Sequence, residues 1–137
     1  MSTAASTREQ ELTARARQAQ ARAYAPYSKF TVGAALLCAD GSIVEGCNVE
    51  NASYPAGTCA ERVALGAAVV AGQREFAAIA IATDASVATP PCGICRQALA
   101  EFQPALPVVA IDREGRVTRW TLAELLPTPF TPSSLHS

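Results

Sequence analysis

Apolar and polar positions along this chain fall into blocks whose period changes. Over residues 7–24 the strong helix formers Ala, Arg, Gln and Glu dominate, with Leu12, Ala16 and Ala19 on one stripe. This predicts an amphipathic helix stopped by Pro26. Two short apolar runs, 32–38 and 43–47, flank Asp40-Gly41. They predict a hairpin whose loop residues tolerate positive φ. Residues 59–71 are Ala- and Val-rich, apolar nearly all round and followed by Gly72, the pattern of a buried helix with a glycine stop. Run 76–82 has the length of a buried strand and 92–102 reads as a helix. Strands at 108–111 and 117–120 flank the turn Arg113-Glu114-Gly115, and a short helix at 122–126 ends at Pro127. The order α-β-β-α-β-α-β-β-α predicts an α/β fold, an open mixed sheet with helices on its faces. It forms one domain over residues 1–137, with an irregular Pro- and Ser-rich tail from about 127.

Composition narrows the function. A length of 137 residues suits a single core. Only 17% of residues are charged against 50% hydrophobic, below the roughly 25% charge usual in globular domains, so part of the surface is expected to be covered in an oligomer. A net charge of −1 with no basic stripe lacks the electrostatic footprint of nucleic-acid binding and fits a small neutral substrate better. The polar residues 1–20 lack the apolar core of a signal peptide, and no apolar run is long enough to span a bilayer. A cytoplasmic protein with no membrane partner is the expectation. Its five cysteines are then thiols or metal ligands rather than disulfides.

The candidate chemistry lies in Thr58-Cys59-Ala60-Glu61-Arg62 and Pro91-Cys92-Gly93-Ile94-Cys95. Each begins a predicted helix, where free amides and the positive end of the dipole favour thiolates, and thiolate is the form that binds zinc. Cys92 and Cys95 are three apart and share a helix face, as do Cys59 and Arg62. Three cysteines leave one tetrahedral position for water, the arrangement of a catalytic zinc site holding one ion per chain. Glu61, two residues from Cys59, does not share its face and is read as a proton-carrying carboxylate beside that water. Arg62 offsets the excess negative charge of three thiolates. Cys38 and Cys47 each end an apolar run and read as small core residues.

Other segments suggest a pocket. Residues 24–30 hold Tyr24, Tyr27 and Phe30, more aromatics than a connector needs. Asn48-Val49-Glu50-Asn51 offers amides and carboxylate at a strand end, suited either to recognition of hydroxyl groups or to turn chemistry. Two rival functions stay open at this point. Cys92 and Cys95 are spaced for a thiol oxidoreductase, although that leaves Cys59 and Glu61 unexplained. A structural zinc module would instead close its tetrahedron with Cys47.

These segments together resemble the small, all-cysteine cytidine deaminases that act on free nucleosides. The resemblance is nearly full length and is carried by Ala25-Pro26-Tyr27-Ser28-Lys29-Phe30, Val32-Gly33-Ala34-Ala35-Leu36-Leu37 and Gly46-Cys47-Asn48-Val49-Glu50-Asn51. It continues through Cys59-Ala60-Glu61-Arg62, Pro91-Cys92-Gly93-Ile94-Cys95-Arg96-Gln97 and Glu124-Leu125-Leu126-Pro127. It implies a three-layer α/β/α sandwich around a mixed, roughly five-stranded sheet. By the same resemblance, zinc is held by Cys59, Cys92 and Cys95 and proton transfer falls to Glu61. Phe30, Asn48, Glu50 and Ala60 contact the nucleoside, with Asn48 and Glu50 on the sugar hydroxyls, and Arg62 bonds the ligand thiolates. The resemblance also implies a homotetramer with shared active sites, in which Phe130 covers the pyrimidine of a neighbouring subunit. The implied reaction is deamination of cytidine and 2'-deoxycytidine in pyrimidine salvage; a deaminase of a nucleoside antibiotic is the variant within the family. Ile94 stands where a smaller residue is usual, which bears on local packing of the pocket.

Overall fold

The computed structural model describes residues 3–136. Its five strands are β1 (Val32–Cys38), β2 (Ile43–Cys47), β3 (Phe76–Thr83), β4 (Pro107–Ile111) and β5 (Val117–Thr121), in the sheet order β2-β1-β3-β4-β5. Only β3 and β4 pair in parallel; the other neighbours are antiparallel. Helices α1 (Thr3–Gln20), α2 (Ala60–Val70), α3 (Gly93–Ala100), α4 (Leu122–Leu125) and α5 (Pro132–His136) complete the described elements with a 3-10 turn at Tyr54–Ala56.

Strand alternation sorts the core into two layers. Ala34, Leu36, Ile79, Ile81 and Val108 face α2 and α3, packing with Ala64, Ala68, Leu99 and Leu122. Their sequence neighbours Ala35, Ala80, Ala82 and Val109 face the other way, against Leu12 and Ala16 of α1. The two-residue period of a strand thus gives bulky residues to one face and mostly alanine to the other. The small face lets α1 approach closely: a methyl at Gly33 would sit 2.0 Å from Ala16 O. Gly46 does the same for the opposite layer, where a methyl would meet Ala64 N at 2.4 Å and Ala60 O at 2.5 Å. These glycines set the seats of α1 and α2 against the sheet.

Three expectations need correction. The first helix ends at Gln20 rather than near residue 24, because Tyr24 is held in a bridge to Val49. Its N–H donates to Asn48 O at 3.0 Å, and its carbonyl accepts from Glu50 N at 2.9 Å. Helix α2 is not buried all round: Gly66, Ala67 and Val70 lie on an exposed edge, with Val70 89% exposed. The tail carries the short α5, opened by Pro132 and by a Ser134 N–H bond of 2.9 Å to Thr131 O.

Candidate active site

Helices α2 and α3 both begin on a cysteine. Cys59 and Cys92 are their N-caps, each in extended conformation with a side chain that makes no capping bond. Their thiols are therefore left to point at one another, and Cys95 joins them from the first turn of α3. The three Sγ atoms lie within 4.8 Å of one another. Cys59 Sγ and Cys92 Sγ are 3.9 Å apart, far beyond a disulfide bond of about 2.05 Å. Zinc–sulfur bonds of about 2.3 Å in a tetrahedron separate sulfurs by about 3.8 Å, so the cluster fits zinc in donor type and spacing.

The surrounding charges fit a cation as well. Burial holds the Cys95 thiol far above its ordinary range, and the negative charges of Glu61 and Cys59 push it further in the same direction. Burial also raises the Cys92 thiol, but hydrogen bonds from the Cys95 backbone and from neighbouring groups outweigh it and leave it lowered. A cation at the cluster would favour the Cys95 thiolate against that burial and repulsion. Arg62 supplies one positive charge: Nη2 lies 3.8 Å from Cys59 Sγ. Its bonds to Cys59 and Cys95 keep the guanidinium firmly protonated, while its buried Nε has no partner.

Glu61 is 5% exposed and lines the same cavity as Cys59 and Cys92. Burial raises its carboxyl above the usual range, while its own backbone N–H and the Arg62 charge pull less strongly the other way. A carboxyl whose burial in a cleft makes it hold its proton more tightly than an ordinary one is suited to accept and return a proton. The cavity before it, ≈ 210 Å³, is lined by Phe30, Val32, Asn48, Cys59, Ala60, Glu61, Ile81, Thr89, Pro90 and Cys92.

Phe30, Asn48 and Ala60 thus share one cavity with two ligand cysteines and Glu61. Asn48 is partly spent on backbone: its Oδ1 accepts from Val32 N at 2.9 Å and its Nδ2 donates to Phe30 O at 2.8 Å. Glu50 lines a different hollow, of ≈ 370 Å³, with Tyr27, Ser28, Asn51, Tyr54 and Gly57. Its carboxylate accepts from the N–H groups of Tyr27 and Ser28 and from the Ser28 hydroxyl. The Ser28 bond, with those two backbone bonds and the charge of Lys29, holds the carboxyl below its usual range against a small opposing burial effect. Phe130 is 59% exposed and absent from the lining of either cavity. Cys47 stays outside the cluster, with its Sγ 3.6 Å from Arg22 O, so it does not close a fourth sulfur corner. Because Cys59 shares the cluster, Cys92 and Cys95 are not an isolated redox pair.

Sequence reasoning missed Thr89 and Pro90, which follow β3 in the chain and line the same cavity as Phe30. Their signal was Thr89-Pro90-Pro91 itself, a stiff approach to a ligand cysteine. Arg96 and Gln97, which follow Cys95 and carry part of the resemblance, were given no role. Arg96 Nε donates to Pro91 O at 2.7 Å, fixing the residue before Cys92.

Known proteins carry the same arrangement of sequence. A family model described as the cytidine and deoxycytidylate deaminase zinc-binding region matches residues 6–111. A cytidine deaminase of Sporosarcina psychrophila is 45% identical over 127 residues, which cover 92% of this chain and 93% of that protein. One from Halalkalibacterium halodurans is 47% identical over 128 residues, 93% of this chain and 97% of that one. Among solved structures, cytidine deaminase from Burkholderia pseudomallei superposes with a TM-score of 0.86 at 48% identity, covering 88% of this chain and 98% of that chain. The Mycobacterium tuberculosis cytidine deaminase gives 0.77 at 38% identity, covering 89% and 96%.

Proposed function

The chain belongs to the zinc-dependent cytidine and deoxycytidylate deaminase family, and on that premise we propose that it hydrolyses cytidine and 2'-deoxycytidine to uridine and 2'-deoxyuridine, releasing ammonia. The observation that carries this reading is the cluster of Cys59, Cys92 and Cys95 opening on a cavity where Glu61 is buried. Zinc bound by the three cysteines supplies Lewis acidity that makes water a nucleophile near neutral pH. Glu61 takes a proton from the attacking water and passes it to the ring nitrogen. It then takes the second proton from the hydroxyl added to the ring carbon and delivers it to the departing amine as the carbonyl forms, so that one water is consumed for each ammonia released. Arg62 stabilises the thiolates through its contact with Cys59. Phe30 and Ala60 form the wall against the base, and Asn48 orients the sugar with its remaining N–H and lone pair. Glu50, ionised and held by Ser28, accepts from a sugar hydroxyl at the edge of the site.

The working form is a homotetramer with shared sites. Tyr27, Phe30, Val49, Tyr54, Ile94 and Phe130 are exposed large apolar residues, more than a monomer surface usually concentrates in a few segments. Ile94 is 66% exposed, so the side chain that departs from the family pattern lies outside the cavity lining and bears on a subunit contact instead. Phe130 reaches the pyrimidine of a neighbouring subunit. No helix among the described residues is long and apolar enough to cross a membrane, and a cytoplasmic place in pyrimidine salvage fits a free-nucleoside substrate.

The test is an ultraviolet assay of cytidine conversion by the purified protein, with zinc content measured beside it. About one zinc per chain, uridine formation, and loss of both after chelation are expected. A zinc-loaded protein that leaves cytidine unchanged overturns the reading.

A further inference from the structure

Two consecutive side chains of α3 tie the metal-binding helix to the tail. Arg96, besides its bond to Pro91 O, donates Nη1 to Leu125 O at 2.9 Å, which fixes the end of α4. Gln97 then grips Phe130 from both sides: Nε2 donates to Phe130 O at 2.7 Å, and Oε1 accepts from Phe130 N at 3.3 Å. A carboxamide carries a donor and an acceptor in one plane, so it pairs with both backbone groups of a single residue as a neighbouring strand would. The backbone of Phe130 is thereby fixed relative to Cys95, two residues before Gln97 on the same helix.

The clamp does not seat a buried side chain. The Phe130 ring is 59% exposed, so the folded subunit gains little burial from holding it in one place. We propose that Gln97 is a positioning residue for the reaction: it holds Phe130 at the height and angle at which the ring covers the pyrimidine in the adjacent subunit. This rests on the assignment of Phe130 under the proposed function. Loosening the tail then adds an ordering cost to substrate binding, while Glu61 and the cysteines remain in place, so the effect falls on KM rather than kcat.

The experiment is steady-state kinetics on the intact, zinc-loaded oligomer with cytidine, for wild type, Gln97→Met, Phe130→Ala and the double variant. Methionine keeps the bulk of glutamine and removes both bonds. Gln97→Met is expected to raise KM about three- to tenfold with kcat within about twofold, zinc content and oligomer unchanged. Added to Phe130→Ala it is expected to have no further effect, because both changes act through one ring. Gln97→Glu, which keeps an acceptor for Phe130 N–H but sets a carboxylate oxygen against Phe130 O where the amide donated, is the second variant and should raise KM at least as much as Gln97→Met, whereas wild-type KM in it overturns the clamp. If Phe130→Ala is impaired while Gln97→Met is normal, or if their losses add, the role of Gln97 is overturned and that of Phe130 stands. If Phe130→Ala itself behaves as wild type, both fall.

Discussion

Arg62 and Cys59, three residues apart on the first turn of α2, face the same cluster, with Nη2 3.8 Å from Sγ. The guanidinium favours the thiolate forms that bind metal, so protons compete less well with zinc while it is present. Arg62→Ala should therefore release zinc at higher pH, with the midpoint moved up by about one unit. Zinc retained against pH, followed with a chelating dye, checks this. Identical curves for variant and wild type would remove Arg62 from the metal centre.

Glu61 is expected to separate catalysis from stability. Glu61→Gln keeps shape and burial but cannot carry a proton, so turnover should fall ~10²–10⁴-fold with zinc retained. In zinc-stripped protein the same change has a different signature. The folded carboxyl titrates above its ordinary range because burial disfavours its charge, so the native state binds this proton more tightly than the unfolded chain. Its stabilising contribution is full below the unfolded pKa and is lost as pH rises through the folded one. Zinc-free Glu61→Gln should melt higher than zinc-free wild type at pH 8 and close to it near pH 4. Melting curves at the two pH values check the sign; a variant that melts lower at pH 8 contradicts it.

Gly46 controls where α2 sits. A methyl there would lie 2.4 Å from Ala64 N and 2.5 Å from Ala60 O, both backbone atoms that cannot step aside without moving the helix. Gly46→Ala should cost ~2–4 kcal/mol or more and displace α2, which begins at the Cys59 ligand. Chemical denaturation and zinc content should fall together. A normal zinc content with unchanged stability would show that α2 adapts more easily than its backbone contacts suggest.

The strands and the three clustered cysteines were legible in the sequence because each depends on local pattern: continuous apolar runs for β1 and β3, which are buried on both faces, and helix-start positions for Cys59 and Cys92. That Cys59 shares a site with Cys92 and Cys95 was read from residue type and from the resemblance rather than from spacing, since 33 residues separate Cys59 from Cys92 and only the fold brings α2 and α3 together. The end of α1 was misplaced because helix propensity favours 21–24, whereas the bonds that override it come from Asn48 and Glu50. The Gln97 clamp was hidden for the same reason. Its partner lies 33 residues on, in a tail whose composition predicts no fixed structure.

Asn48 holds backbone and, under the proposed function, also the sugar, and substrate choice can separate the two. One lone pair of Oδ1 takes the Val32 N–H at 2.9 Å and one proton of Nδ2 goes to Phe30 O at 2.8 Å. This pins the segment carrying Phe30, next to Lys29, which sits at a φ of 62°, a strained conformation for a side-chain-bearing residue. Under the proposed function the other proton and lone pair would meet a sugar hydroxyl. Asn48→Ala removes both duties at once. Loosening the Phe30 segment should weaken every substrate alike, whereas the lost sugar bond should matter only where the hydroxyl exists. A neutral hydrogen bond of about 1–1.5 kcal/mol corresponds to roughly tenfold in kcat/KM. The preference for cytidine over 2',3'-dideoxycytidine should accordingly fall by about tenfold in Asn48→Ala, on top of a common loss shared by both substrates. Parallel kcat/KM measurements on the two nucleosides check this; an unchanged ratio would leave Asn48 as the anchor of the Phe30 segment and pass sugar recognition to Glu50.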